Sequence, residues 1–184
     1  MRSIFYLIIS NNLSILGTWL LGPVYAAYIS TLEGSTFVAG ASWGVMALTS
    51  AAIMFTLDSW IDENNLSTKA LMLGYVLLSV GSLGYSLITT LSVVYAIQVV
   101  NGLGMGLVLP SWKTLYSDLE NEGHEVQEWG WADGPSQVIT GVGSFFGGMI
   151  VQLLSFQVLF YIMAVLQLTA AITVSVSFPN TTTK

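Results

Sequence analysis

Two sets of polar residues at helical spacing hold most of the chemistry available to this chain. Asn11, Ser14, Thr18, Gly22 and Tyr25 recur every three or four positions, as do Gln98, Asn101, Met105, Leu109 and Trp112. Residues so spaced share one face of a helix. The opposite face of the first set reads Ile9, Leu13, Leu16 and Leu20. Amides and hydroxyls of this kind bind neutral polar groups. They either line a polar cavity or join neighbouring helices, where such bonds average about 0.6 kcal/mol inside a bilayer.

Titratable groups are placed with equal regularity. No Asp, Glu, Lys, Arg or His lies in the middle of any apolar run; Asp58, Lys113 and Asp133 stand at run ends. A mid-membrane charge costs at least about 2.5–3.5 kcal/mol and usually marks ion or proton coupling. Lys113 and Asp133 fall at similar depth on successive antiparallel runs, so a pair between them is expected, serving either structure or a cytoplasmic gate. Asp133 also sits near a helix N-terminus, which favours a carboxylate. Ser144 has no histidine beside it in the apolar region, His124 has no neighbouring ligand set, and cysteine is absent. No catalytic residue, metal centre or cofactor is expected.

The elements that must carry these residues are membrane-spanning helices. Of 184 residues, 54% are hydrophobic and 8% charged, and the mean hydropathy is +0.74. A soluble domain carries about 25% charged residues. A span needs about 20 apolar residues, and six runs qualify, near 4–30, 36–57, 70–88, 91–115, 132–154 and 157–178. The first is read as a retained span rather than a cleaved leader, since Asn11, Asn12 and Ser14 interrupt it and it runs past Pro23. Arg2, Lys69, Lys113 and Lys184 are the only strong bases, and a six-span path puts all four on one face. The positive-inside rule makes that face, with both termini, cytoplasmic. The location expected is a cell membrane, specifically a prokaryotic inner membrane. The acidic segment from Asp118 to Glu128 carries no base, so no nucleic-acid partner is expected.

The chain also repeats itself. Leu16 to Pro23 is echoed by Leu103 to Pro110, and Pro23 and Pro110 lie 87 residues apart. The same offset pairs Asn11 with Gln98 and Ser14 with Asn101. Three spans begin in each half, so the second copy is inverted in the bilayer. An inverted 3+3 repeat over 1–88 and 89–184 is a pattern of transporters that open to alternate sides. Span 2 carries a small-residue stripe of Gly40, Gly44, Ala47 and Ala51; span 5 carries Gly141, Ser144 and Gly148. Small residues let helices approach closely in lipid.

In layout and motifs the chain resembles one half of a major facilitator superfamily transporter. The family signature G-x-x-x-D-R-x-G-R-K falls on Met54 to Glu63, where Asp58 is retained. R-x-x-Q-G-x-G is similar to Gln98 to Gly104, with Gln98 in place of the arginine. G-P-x-x-G-G is similar to Gly143 to Gly148, with Ser144 in place of the proline. The resemblance implies an all-α bundle moving a small solute by alternating access. Spans 1 and 4 would line the cavity through Asn11, Ser14, Thr18, Tyr25, Gln98, Asn101, Met105 and Trp112. The family has twelve spans in two parallel halves. A second copy of this chain, or a homologous half, would complete it, with Gly40, Gly44 and Ala47 against Gly141, Ser144 and Gly148. The alternative is a non-transporting membrane subunit of a larger complex that docks through the acidic segment.

Overall fold

The computed structural model describes residues 2–119 and 125–178. His124 and residues 120–124 of the acidic segment, expected as a docking surface in the alternative reading, therefore lie outside the described residues, as do the side chains of Glu125 and Glu128. Helix α1 (Arg2–Leu21), a 3-10 turn (Gly22–Val24) and α2 (Tyr25–Thr31) make span 1. Helices α3 (Thr36–Glu63), α4 (Ser67–Tyr85), α5 (Leu91–Ser117), α6 (Glu125–Leu153) and α7 (Phe156–Ser177) make spans 2 to 6. Among the described residues, six helical segments are long and apolar enough to cross a membrane.

Local chemistry explains the joints. Pro23 has no N–H and its ring crowds the carbonyl of Trp19, so span 1 tightens into a 3-10 turn before resuming at Tyr25. Pro110, its partner in the repeat, sits inside an unbroken α5. Ser35 and Ser155 cap α3 and α7, each hydroxyl accepting from a backbone N–H three residues on, at 3.3 Å. Asn65 turns the chain between spans 2 and 3 with φ of 53°, a conformation asparagine tolerates. Spans 2 and 5 run on as helix beyond their apolar cores, to Glu63 and from Glu125. The charges there end the apolar run, not the helix.

Span 1 packs on spans 5 and 6, span 4 packs on spans 2 and 3, and span 3 packs on span 6. The pattern is unchanged when spans 1, 2 and 3 are exchanged with 4, 5 and 6. Two apolar clusters fill the bundle. One gathers Leu7, Leu71, Tyr75, Trp112 and Tyr116 toward the end holding the chain termini. The other gathers Leu20, Tyr28, Ile29, Tyr85, Leu159 and Phe160 at the opposite end.

The outer spans differ from the inner ones. Only 17% of the apolar window of spans 2 and 5 is buried, against 33% to 56% for the other four. Phe37, Leu48 and Phe55 on span 2 and Val138 and Phe145 on span 5 are exposed.

Candidate functional site

A cavity of about 290 Å³ opens between spans 1, 4 and 5, at the end of the bundle that carries the termini. Five of the eight expected lining residues meet there: Asn11, Ser14 and Thr18 from span 1, Met105 and Trp112 from span 4. Lys113 and Asp133 line the same cavity. Among the described residues, however, no salt bridge within 4.0 Å joins them. The expected pair is an open pair in this structure, two opposite charges lining one cavity.

Span 5 contributes Ser136, Gln137 and Thr140, which the span 1 and span 4 stripes do not include. The Ser136 hydroxyl shares its proton between Asn12 Oδ1 on span 1, at 3.0 Å, and the Ala132 carbonyl of its own helix, at 3.1 Å. The indole of Trp112 donates to the Leu7 carbonyl at 3.3 Å and stacks on Tyr116, with ring centres 5.1 Å apart. Ile15, Val108, Leu109 and the Trp19 ring supply an apolar wall. The site offers neutral hydrogen bonds, one cation, one anion and an apolar surface. That combination is suited to an amphipathic guest.

Tyr25, Gln98 and Asn101 are placed elsewhere. Gln98 is wholly buried, and its Nε2 donates to Tyr25 Oη at 2.7 Å. Ser42 Oγ donates to the Ala39 carbonyl at 3.0 Å, which leaves Tyr25 as donor to Ser42 at 2.6 Å. Asn101 Nδ2 donates to Tyr85 Oη at 3.1 Å, and its carboxamide occupies the space a side chain on Gly81 would need. These groups join spans 1, 2, 3 and 4. Replacing Tyr25 by phenylalanine strands the Gln98 amide, so thermal unfolding in detergent is expected to show a loss of about 1–3 kcal/mol.

Gln167 on span 6 belongs to the same buried layer. Its Nε2 reaches the Ser14 carbonyl at 3.0 Å and Thr18 Oγ1 at 3.2 Å. A small cavity of about 30 Å³ lies beside Thr18, Tyr85, Asn101 and Gln167, enough for one water.

The small-residue stripes are not used inside the bundle. An added side-chain carbon at Gly40, Gly44, Gly141 or Gly148 would meet no atom within 4 Å. Ala47 is exposed and Ser144 half-buried. The close helix approaches rest on other glycines: Gly102 and Gly106 of span 4 against span 2, and Gly143 and Gly147 of span 5 against span 1.

A six-helix membrane bundle with a polar cavity between its helices is an architecture found in membrane transport proteins. The family model described as Major Facilitator Superfamily matches residues 7–184, and the chain belongs to that family. It is similar to the proton-coupled antiporter flippase LtaA of Staphylococcus haemolyticus (strain JCSC1435), 27% identical over 135 residues. That match covers 71% of this chain and 33% of the relative. The protein of the same description from Staphylococcus epidermidis (strain ATCC 12228 / FDA PCI 1200) is 29% identical over 101 residues, covering 54% of this chain and 25% of the relative. Matches to these curated relatives thus span a third or less of their length. In fold, the chain is similar to the crystal structure of the POT family transporter PepTSo, with a TM-score of 0.75 at 17% identity, over 95% of this chain and 37% of that one.

Proposed function

We propose that this six-helix bundle is one half of a transporter that moves a small polar or amphipathic solute across the membrane by alternating access. The observation that carries the reading is the cavity itself. Neutral polar groups of spans 1 and 5 face the apolar and indole surfaces of span 4, with Lys113 and Asp133 at the rim. The relatives' description as flippases favours an amphipathic substrate, whose polar part Asn11, Ser14 and Gln137 would hold. The exchange pattern in the packing of the spans supports an inverted 3+3 relation between 1–88 and 89–184.

A second six-helix bundle closes the cavity. It is a second copy of this chain or a homologous half. Six spans are an even number, so a second copy inserts in the same orientation. The two spans least covered within the bundle carry the unpacked small-residue stripes, and these faces meet across the axis: Gly40, Gly44 and Ala47 against Gly141, Ser144 and Gly148. The membrane is a bacterial cell membrane, with both termini cytoplasmic.

Two measurements test the reading. The chain lacks cysteine, so Ala47→Cys mixed with Ser144→Cys gives an unambiguous crosslink. Disulfide formation between chains is expected for this pair and for neighbouring pairs along the stripes. No intersubunit crosslink across several pairs would reject the self-association. Flux of candidate amphipathic solutes in reconstituted vesicles tests transport separately, with the chain alone and with any co-purifying partner.

A further inference from the structure

The solute cavity has a direction. From the end of the bundle that carries the termini, its lining runs inward from Asn11 to Trp19 on span 1, from Lys113 back to Met105 on span 4, and from Asp133 to Thr140 on span 5. From Asn11 to Trp19 a helix rises about 12 Å. The two charges stand at the mouth, and the innermost positions belong to Trp19, Met105 and Thr140. Trp19 is the largest of these and is 41% exposed, so a broad part of its side chain is left uncovered by the bundle.

Two glycines fix that side chain in place. A Cβ added at Gly143 of span 5 would lie 3.3 Å from Trp19 Cβ and 3.3 Å from the Leu16 carbonyl oxygen, so span 5 holds the root of the tryptophan. A Cβ added at Gly22 would lie 3.0 Å from the indole, and its three nearest atoms all belong to that ring. The indole therefore lies along span 1 over the bare Cα of Gly22, a close approach that glycine permits. The 87-residue offset does not account for the ring. It pairs Trp19 with Gly106, where a Cβ would run into Ile53 and the Ser50 carbonyl of span 2. At the matching points of the repeat, span 4 carries no side chain and span 1 carries the largest one.

We propose that Trp19 is the floor of the solute cavity and sets the length of apolar tail that the cavity accepts. The head of the solute stays at the mouth, near Asn11, Lys113 and Asp133. The tail follows Ile15, Val108 and Leu109 and ends on the indole. A tryptophan has two side-chain torsions and a rigid ring, and one held at root and ring makes a fixed stop. Met105 beside it has three rotatable bonds and adapts to the shape of the tail. This inference rests on the amphipathic reading of the cavity and adds length as the property selected.

The test places a single cysteine in the cavity wall, Leu109→Cys, in a chain that otherwise has none. In lipid nanodiscs, its labelling by N-ethylmaleimide is slowed with alkyl phosphocholines from butyl to decyl, whose head carries one charge of each sign. Affinities are referred to the free aqueous probe. Each methylene buried between mouth and floor is expected to strengthen protection about fourfold, and the gain to stop at the length where the tail meets the indole. Trp19→Phe moves that stop to longer chains, and Trp19→Ala moves it further. Trp19→Phe keeps a ring beside Gly143 and carries the test if Trp19→Ala does not fold. A stop at the same length in all the proteins, or no stop in the parent, overturns the floor and leaves the amphipathic cavity standing. Protection by no member of the series overturns both.

Discussion

Replacing Gly147 with alanine is expected to cost at least about 3 kcal/mol of stability, at the upper end of what overpacking does. The added carbon would run into the carbonyl of Leu20. That carbonyl belongs to the backbone of span 1, which cannot rotate away as a side-chain tip can. Span 5 must then part from span 1, taking with it the wall that holds Ser136, Gln137 and Thr140. Gly148→Ala is the matched control, because its added carbon meets nothing within 4 Å. Thermal unfolding of the two variants in detergent, in parallel, should separate them clearly. Equal stability would mean that spans 1 and 5 do not pack as described.

The second large effect concerns flux. Asn11→Leu keeps the shape of the side chain but removes its amide from the cavity. The helix-joining bond of Ser136 goes to the neighbouring Asn12 and is untouched, so the bundle should fold normally. Loss of a desolvated hydrogen bond to the solute is worth about 1–3 kcal/mol, so uptake into reconstituted vesicles is expected to fall on the order of 10- to 100-fold. Unchanged uptake by a correctly folded variant would remove Asn11 from the site. Asn101→Leu should behave differently. It unpairs the Tyr85 hydroxyl and disturbs the contact with Gly81, so its main loss is of stability.

The contrast between Asn11 and Asn101 marks the limit of reading this site from periodicity. Spacing correctly places both on one face of their helices. It does not say what that face meets. Toward the terminal end, spans 1 and 4 diverge around a cavity, and Asn11, Ser14, Trp112 and Met105 line it. Toward the other end the neighbouring spans close in, and Tyr25, Gln98 and Asn101 bond one another's helices. The polar stripe on span 5, Asp133, Ser136, Gln137 and Thr140, has the same spacing, but the glycines beside it are equally the pattern of a packing face. Gln167 carried a fainter signal, a lone amide within an apolar span.

The spans themselves were the most legible feature, because lipid demands an unbroken apolar stretch and this chain has six. Their ends were less so. Hydropathy falls at Asp58 at the end of span 2 and, for span 5, rises only after Trp131, yet both helices extend past these points, since glutamate and glutamine are good helix formers in water. The break at Gly22 to Val24 and the uninterrupted course of α5 through Pro110 show that one residue type can have two outcomes. The difference arises from what packs around each helix, which a local motif does not encode.

The charge-free middle of every span has a consequence for how such a protein is made. Each helix can leave the translocation machinery for lipid without waiting for a neighbour to neutralise a charge. The bundle's internal amide and hydroxyl bonds then form between helices that are already inserted. Insertion of these six helices therefore has no need of the second bundle proposed to close the cavity.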